Sequence, residues 1–408
     1  MQRNRLSSSR RTTLKNVIRL IPSVVIMAAI LNTVSCRNNN GLLPQVSGGG
    51  GSSTPTAVPT AGTGALAFVT NFNDGKVSSF RRNTTTGALT LTNPQVTAGA
   101  NNGPRGVVAS PNGNFLYVAN LGDEKIYEFS VNQTTGALTP LPTPSISNGN
   151  ATQPDELAIN RAGTLLWVTG RQAGTVTAYT VNGSTGQLTR KSSIGGFHTP
   201  FGITLHPNLA VLYVSDTATG LIQPMSYNTK TGALAKNFVA MHSSDVNANT
   251  PAAIAIDAAG ASLFIADQTI GEVSTFAINS NGSLTQGPTF ANISTSTVPV
   301  GVGIAVNTGI EYLFTANQGG SSVSSFIVNG GTNVITPPVI AGPYNGPTGL
   351  VVDPQMVNVY AADKNDGTVA QSIIKGSCVA SQICTGPTVS TENPANANSG
   401  PFGITLAP

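Results

Sequence analysis

The sequence predicts an all-β protein, a seven-bladed β-propeller built from four-stranded blades, and three observations lead to that prediction. From residue 65 onward a unit recurs at a spacing of 46 to 54 residues. The unit occurs seven times, and one copy is completed only by the C-terminus. Charged residues are 9% of the chain and Gly is 45 of 408 residues, a composition suited to short strands and tight turns.

The most regular part of the unit is a strand that ends in Asn, Asp or Gly, and we refer to its last four residues as the tetrapeptide. The seven copies are FVTN (68–71), YVAN (117–120), WVTG (167–170), YVSD (213–216), FIAD (264–267), FTAN (314–317) and YAAD (360–363). Six copies follow a second apolar segment that begins with Pro. These segments are PRGVVASP (104–111), PDELAIN (154–160), PFGITLHP (200–207), PAAIAID (251–257), PVGVGIAV (299–306) and PTGLVVDP (347–354).

The first tetrapeptide lacks such a Pro segment, and the missing piece is PFGITLAP at residues 401–408. We therefore expect the C-terminal strand to complete the blade that begins near residue 65. This pairing closes the ring and leaves no open blade edge at the two ends of the domain. A parallel β-helix is the alternative repeat architecture, but its repeats are far shorter.

Two further strands complete each unit. After each tetrapeptide comes a turn and an alternating strand such as KVSSF (76–80), and in four units the motif N-x-x-T-G-x-L-T or a close variant follows. The Asn and Gly of that motif favour the positive φ angles of a tight turn between two strands. Four strands in each of seven units predict a propeller over residues 65–408.

Residues 1–35 have the pattern of an export signal. Residues 1–19 are basic, and the apolar run 20–31 is too short to span a bilayer. SRRTTLK (9–15) resembles the twin-arginine export motif, and an ordinary Sec signal is the alternative. The run ends in TVSC (33–36), which is similar to a bacterial lipobox with Cys36 as the lipidated residue. A soluble secreted protein cut nearby is the alternative.

The segment 36–64 follows the predicted signal and is rich in Gly, Ser, Pro and Thr without apolar periodicity, which predicts a flexible tether. The sequence thus predicts an exported lipoprotein of the bacterial cell envelope that contacts the membrane through its lipid anchor only. Cys378 and Cys384 are the remaining cysteines, and in an exported protein they predict a disulfide. No further Cys or His lies near this pair, so we do not expect it to bind a metal.

The net charge of +4 comes from the signal, because residues 1–35 hold six basic residues and no acid. The rest of the chain holds 14 basic and 16 acidic residues, so its bulk charge gives no reason to expect nucleic-acid binding. The sequence has no phosphate-binding loop, dinucleotide fingerprint, zinc motif or nucleophile elbow. We expect no cofactor, no metal and a monomer.

Residues just after the Pro of each innermost strand are placed to line the mouth of the central channel. The first ring that they form is Arg105, Asp155, Phe201, Ala252, Val300, Thr348 and Phe402. The second ring is Gly106, Glu156, Gly202, Ala253, Gly301, Gly349 and Gly403. Only the second and third units contribute ionisable groups to these rings.

The tetrapeptide, the P-x-G-I segment and the N-x-x-T-G-x-L-T motif together resemble the YVTN-repeat and lactonase-like propellers, a group that includes the propeller type of 6-phosphogluconolactonase. The resemblance covers residues 65–408, and it implies a ligand site at the channel mouth. A GPRH segment is typical of the lactonases; Gly103, Pro104 and Arg105 match it here, and Gly106 stands where the His would be. His206 matches a companion position loosely.

Lactone hydrolysis needs a base that activates water and a cation that holds the oxyanion. Arg105 is the candidate cation, and Asp155, Glu156 and His198 are the candidate bases. The alternative for Arg105 with Asp155 or Glu156 is an ion pair between neighbouring blades. The alternative for His206 is a turn residue.

We expect a binding or scaffold module for an unknown envelope protein or glycan, because the two rings are poor in reactive groups and a fold alone does not imply catalysis. The second hypothesis is a lactonase-type hydrolase that opens a sugar or acyl lactone. A mouth in which Arg105 and a base converge on a pocket favours the enzyme. A mouth blocked by Phe201 and Phe402, with an intact ion pair, favours the scaffold.

Overall fold

Strands account for all the regular secondary structure in the part of the chain that the computed structural model describes. That part comprises residues 66–99, 103–243, 250–287, 298–307, 310–329, 334–335, 339–341, 344–353, 358–374, 383–390 and 400–407. Among these residues no helix has the length and apolar character needed to cross a bilayer.

The strands form seven antiparallel sheets. Six of them consist of strands that are consecutive along the chain, and the first takes its fourth strand from the C-terminus. Blade one holds β1 (Leu66–Asn71), β2 (Lys76–Arg82) and β3 (Leu89–Thr97). Blade two holds β4 (Pro104–Ala109), β5 (Phe115–Asn120), β6 (Lys125–Val131) and β7 (Leu138–Ser147). Blade three holds β8 (Pro154–Ile159), β9 (Leu165–Gly170), β10 (Thr175–Val181) and β11 (Leu188–Ile194). Blade four holds β12 (Pro200–Leu205), β13 (Val211–Asp216), β14 (Leu221–Tyr227), β15 (Leu234–Ala235) and β16 (Met241–His242).

The remaining three blades repeat this arrangement. Blade five holds β17 (Pro251–Ile256), β18 (Ser262–Asp267), β19 (Glu272–Ile278) and β20 (Leu284–Gln286). Blade six holds β21 (Pro299–Asn307), β22 (Ile310–Asn317), β23 (Ser322–Asn329), β24 (Val334–Ile335) and β25 (Val339–Ala341). Blade seven holds β26 (Pro347–Val352), β27 (Asn358–Asp363), β28 (Thr368–Ile374) and β29 (Ile383–Ser390). The last strand of the chain is β30 (Pro401–Ala407).

The predicted ring closure is confirmed. Strand β30 pairs antiparallel with β1, from Leu66 opposite Ala407 to Asn71 opposite Pro401, and becomes the innermost strand of blade one. Each innermost strand also contacts the innermost strand of the next blade, in the cyclic order β30, β4, β8, β12, β17, β21 and β26. The first and last strands of the domain therefore belong to one sheet.

Blades four and six differ from the prediction of one continuous outer strand. In blade four the outer strand is divided into β15 and β16, which pair with the two ends of β14. Pro224 lies in the stretch of β14 between those pairings, and proline has no N–H to donate to a neighbouring strand. Blade six is divided in the same way into β24 and β25.

The core consists of apolar layers between adjacent blades, and the tetrapeptide strands supply both faces of each layer. In β1, Leu66 and Phe68 pack against blade two, while Ala67 and Val69 pack against blade seven. Successive side chains of a strand point to opposite faces of its sheet. Because both faces are covered, all six residues of β1 are buried, which explains why these strands are apolar throughout instead of alternating.

The aromatic residue that opens the tetrapeptide anchors the outer turn of the next blade. The Tyr117 hydroxyl donates to the Gly186 carbonyl oxygen at 2.7 Å, and the Trp167 Nε1 donates to the Gly232 carbonyl oxygen at 2.8 Å. Tyr213 and Tyr360 make the same bond to the turn glycines of blades five and one. A buried Tyr or Trp needs such a partner for its polar atom, and the turn supplies it across the blade boundary.

The third residue of the tetrapeptide binds two innermost strands at once wherever it carries a hydroxyl. Thr169 Oγ1 accepts from the Glu156 N–H of its own blade at 3.0 Å and donates to the Phe201 carbonyl oxygen of the next blade at 3.0 Å. Ser215 connects Gly202 to Ala252 in the same way, at 2.9 and 2.6 Å. Thr70 repeats the arrangement with 2.8 and 2.6 Å bonds. We call these hydroxyls the inter-blade bridges.

A buried ion pair connects the first and last blades. The Arg82 Nη1 lies 3.3 Å from the Asp353 Oδ2, and both side chains have no exposed surface. The Asn358 side-chain amide donates to the same carboxylate oxygen at 2.7 Å. The boundary that closes the ring is therefore held by charge as well as by apolar packing.

We expect Thr169→Val to lower the free energy of unfolding by about 1–3 kcal/mol, because it removes the bridge and leaves a buried N–H and carbonyl without their partner. Urea titration of the purified protein measures the change. Thr180→Val on strand β10 of the same blade is the matched control, since that partly exposed side chain makes no inter-blade bridge. An equal loss in both variants would contradict the assigned role.

We expect Arg82→Met to lower the free energy of unfolding by about 3–5 kcal/mol, because it leaves the Asp353 carboxylate buried without its cation. Thermal unfolding of Arg82→Met and of the double variant Arg82→Met/Asp353→Leu tests this. The double variant should recover part of the loss, since no buried charge then lacks a partner. A double variant less stable than Arg82→Met would count against an unpaired carboxylate as the cause.

Candidate functional site

A bowl of about 410 Å³ opens at the end of the channel where each innermost strand begins. Its described lining includes three cationic side chains, two amides, four threonines and three phenylalanines. These residues are Arg105, Arg171, Lys364, Gln268, Gln318, Thr199, Thr217, Thr250, Thr348, Phe72, Phe201 and Phe402. No carboxylate belongs to that described lining, so the bowl is suited to a polar ligand with negative charge.

Below the bowl lies a second cavity, of about 170 Å³, which we call the chamber. Four residues line both cavities and form a collar between them: Phe201, Val300, Thr348 and Phe402. Deeper in the channel the chamber is bounded by a ring of aliphatic side chains: Val107, Ile203, Ile254, Val302, Leu350 and Ile404. Among its described lining residues Glu156 alone is ionisable.

The glycines of the second ring allow adjacent innermost strands to approach closely. A Cβ on Gly106 would lie 2.4 Å from the Asp155 carbonyl oxygen, and a Cβ on Gly403 would lie 2.2 Å from the Arg105 carbonyl oxygen. Gly202, Gly301 and Gly349 meet the next strand in the same way. Glu156 and Ala253 stand in the other two places of this ring. Glu156 therefore brings a carboxyl group to a position that glycine occupies in most blades.

Arg105 and Asp155 form an ion pair between blades two and three. Arg105 Nε lies 2.9 Å from Asp155 Oδ1, and Arg171 Nη1 lies 3.7 Å from Asp155 Oδ2. Burial is the largest influence on Asp155 and raises its pKa, while the two guanidinium groups act in the opposite direction. Asp155 has no exposed side-chain surface, so its carboxylate orients the two arginines and does not face a ligand.

Two aromatic rings fix the Arg105 guanidinium from either side. Its Cζ lies 4.0 Å from the centre of the Phe402 ring and 5.5 Å from that of Phe201. Cation–π contacts of this kind hold a guanidinium without using its N–H groups. The mouth therefore contains both features that the sequence posed as alternatives, an intact ion pair flanked by Phe201 and Phe402 and an arginine that lines a pocket.

Glu156 has a strongly perturbed carboxyl group. Burial raises its pKa to about 8, with a further increase from the nearby Asp155 carboxylate and an opposing effect of Arg105. A carboxyl group with a pKa near the working pH is suited to proton transfer. Of the candidate bases, Glu156 is the one that lines a cavity of the channel.

The two histidines are placed differently. The His198 side chain is 74% exposed, with Nδ1 4.0 Å from Asp216 Oδ2, and it lines neither the bowl nor the chamber. His206 lies at the other end of blade four, where its Nδ1 accepts from the Asn208 and Leu209 N–H groups. That geometry is the turn role given above as the alternative for His206.

Sequence reasoning missed four charged or amide side chains of the bowl: Arg171, Gln268, Gln318 and Lys364. Each follows directly after a tetrapeptide. The second strand of a blade ends at the same side of the propeller at which the first begins, so this third ring borders the mouth too. The residue after each tetrapeptide was the signal that could have identified them.

Two predictions concern the cysteines, and the described part of the structure tests neither. Cys36 and Cys378 lie outside the described residues, and Cys384 is placed by its backbone only, in β29. Lipidation and the disulfide therefore stay predictions. Within the described ranges no group of three or more His, Cys, Asp or Glu side chains could hold a metal ion.

The sequence profile of a known family, described as lactonase, 7-bladed β-propeller, matches residues 62–201 and 198–352. No curated protein sequence matches the chain. Solved structures share the fold. A protein assigned as a 6-phosphogluconolactonase of Bacteroides fragilis NCTC 9343 has a TM-score of 0.70 at 14% identity, over 87% of this chain and 100% of that one. The periplasmic gluconolactonase of Pseudomonas aeruginosa has a TM-score of 0.67 at 16% identity, over 84% of this chain and 99% of that one.

The raised pKa of Glu156 predicts how stability changes with pH. The folded protein holds this proton more tightly than the unfolded chain, so this group's contribution to stability falls as pH rises from about 4.5 to about 8. We expect Glu156→Gln, which cannot ionise, to raise Tm by at least roughly 2–4 °C at pH 8.5, equivalent to about 1 kcal/mol, and to change it little at pH 4.5. Calorimetry at both pH values measures this. Glu272→Gln, on β19, is the control, and an equal gain there would contradict the assignment.

Proposed function

The chain belongs to the lactonase family of seven-bladed β-propellers, and from this premise we propose that it hydrolyses a small hydroxylated lactone at the channel mouth. The observation that carries the proposal is the pairing of a cationic bowl with a chamber that contains Glu156. Cations and a carboxyl group of raised pKa are the two functions that lactone hydrolysis needs.

The lining of the bowl supports a sugar lactone over an acyl lactone. The side-chain amides of Gln268 and Gln318 and the hydroxyls of neighbouring threonines can exchange hydrogen bonds with several substrate hydroxyls. Phe72 and Phe402, with ring centres 6.2 Å apart, offer apolar faces to the C–H groups of a sugar ring. An acyl chain would need a deep apolar tunnel that opens from the bowl. The ring of aliphatic side chains bounds the chamber, beneath the collar, and does not line the bowl.

In the proposed reaction water attacks the lactone carbonyl carbon, the ring C–O bond breaks, and a hydroxy acid forms. The negative charge that develops on the carbonyl oxygen is stabilised by Arg105 and Arg171, which Asp155 and the Phe201 and Phe402 rings hold in place before the substrate arrives. The ionised Glu156 carboxylate takes a proton from the attacking water and returns it to the ring oxygen as the C–O bond breaks. The carboxylate product faces the same cations.

A second candidate is a binding module without catalysis, the hypothesis that the sequence placed first. One observation favours it. Glu156 lines the chamber whereas Arg105 and Arg171 line the bowl, so the candidate base and the cations lie on opposite sides of the collar. In that case the bowl binds a hydroxylated acid and releases it unchanged.

For either function we propose export and lipid anchoring at the cell envelope, on the sequence pattern of residues 1–36.

The test measures hydrolysis of a panel of sugar and acyl lactones, with the uncatalysed rate subtracted at each pH. We expect kcat/KM on sugar lactones to rise with pH to a plateau above about 8, because Glu156 acts as the ionised base. Glu156→Gln should lower kcat/KM by about 10²–10⁴-fold and remove this rise. Arg171→Ala should lower it by about 10²-fold.

Glu128→Gln is the matched control, since burial raises the pKa of Glu128 to about 7 at a position between blades two and three, outside both cavities. Arg105→Lys is a second variant of the site itself. It keeps the positive charge that pairs with Asp155 and removes the forked geometry of the guanidinium. Turnover that survives both Glu156→Gln and Arg171→Ala would refute the proposed site. Absence of turnover on every lactone, with calorimetric binding of a sugar acid, would support the binding module instead.

A further inference from the structure

The face of the propeller opposite the bowl carries a groove across blades two, three and four. Two adjoining cavities, of about 310 Å³ and about 500 Å³, form it. Both are lined by Arg161 and Ala162, which lie in the turn between β8 and β9. Strand β8 begins at the bowl, so this turn lies at its far end. We call this surface the far-face groove, and the proposed lactone site does not use it.

Arg161 stands at the middle of the far-face groove without a partner. Its side chain is exposed, and no described residue forms an ion pair or hydrogen bond with its guanidinium. Lys230, exposed in the turn between β14 and β15 beside the lining residue Thr229, also has no ion pair within the described chain. A free guanidinium can bind a carboxylate with two parallel hydrogen bonds.

The remaining lining combines flat rings with amide groups. Phe115 and Pro111 line the smaller cavity, and Tyr227 and Asn208 line the larger one. Sugar rings pack on such apolar faces, and their hydroxyls bind amides. Val239 and Val298 are the large exposed apolar side chains among the described residues, and neither lines the groove. Within the described lining of the groove, therefore, no large apolar side chain is exposed enough to insert into a lipid layer.

Charge along the chain is strongly uneven. Residues 154–242, which comprise blades three and four, contain six Arg and Lys against three Asp and Glu. The remainder of the propeller, residues 65–153 and 243–408, contains seven Arg and Lys against thirteen Asp and Glu. A positive side on an otherwise acidic domain attracts polyanions to that side and orients them there.

We propose that the far-face groove binds an acidic oligosaccharide, a chain of sugars with uronate-type carboxylates. Arg161 pairs with one carboxylate at the centre of the groove, and Lys230 attracts a second towards the blade-four end. The sugar rings lie on the aromatic and proline faces of the lining. The inference is independent of the proposed lactone hydrolysis, because it uses the opposite face of the propeller.

The test measures binding of the full-length protein to polygalacturonate, with dextran of similar length as the uncharged probe. We expect binding to polygalacturonate at least tenfold tighter than to dextran, and weaker at higher salt. Arg161→Gln and Lys230→Gln should each weaken it by three- to tenfold without changing lactone turnover. Lys125→Gln, which removes a 45% exposed lysine of blade two, is the matched control and should change binding by less than twofold.

Equal binding to polygalacturonate and dextran would overturn the proposal, and so would equal losses in Arg161→Gln and Lys125→Gln, since net charge alone would then account for binding. Vesicles of phosphatidylglycerol and a single-stranded oligonucleotide are further probes. An Arg161-dependent gain on either of these, with none on polygalacturonate, would assign the groove to lipid headgroups or nucleic acid and refute the glycan proposal.

Discussion

Hydrogen bonds from the tetrapeptide hydroxyls to the next blade are the constraint on which the rest of this propeller depends. Strand pairing operates only within a blade, and apolar packing between blades is not directional. The hydroxyls of Thr70, Thr169 and Ser215 supply direction, because each holds an N–H of its own innermost strand and a carbonyl of the following one. The accepting carbonyls belong to Arg105, Phe201 and Ala252, which are residues of the first ring. At these three blade boundaries the bonds that join adjacent blades therefore also fix residues of the mouth.

The same close approach explains why Glu156 is unusual. Five blades place glycine in the second ring, where a Cβ would collide with the carbonyl of the next strand. Blade three instead carries a carboxyl group there, in surroundings that raise its pKa to about 8. A carboxyl group at a position that is glycine in five blades, in surroundings that disfavour its charge, makes sense if it serves a ligand, since proteins break their own local rules mainly at functional sites. Arg105 follows a similar logic, since Asp155, Phe201 and Phe402 hold its guanidinium at the edge of the bowl.

Much of the architecture was predictable because the same sequence unit recurs in every blade. The tetrapeptide and the Pro segments define the two inner strands of each blade, and the unpaired segment at residues 401–408 indicated the closure that β30 makes. The first and second rings were predictable because side-chain position follows from distance to the Pro. The division of the channel into bowl and chamber by the collar was not predictable, because it depends on how far the Phe201 and Phe402 rings reach across the channel axis. The outer strand of blade four also escaped prediction, because the effect of Pro224 depends on the register of β14.

Closure by β30 has a consequence for synthesis. Leu66 and Ala407 are partners in one sheet, although more than three hundred residues separate them along the chain. Until the C-terminal strand has been made, blade one has an uncovered edge on β1. Contacts between residues so distant along the chain form slowly, and an uncovered strand edge can pair with another chain. The final seven-residue strand thus protects β1, because a polypeptide that stops short of residue 401 keeps an open strand edge on which another chain can pair.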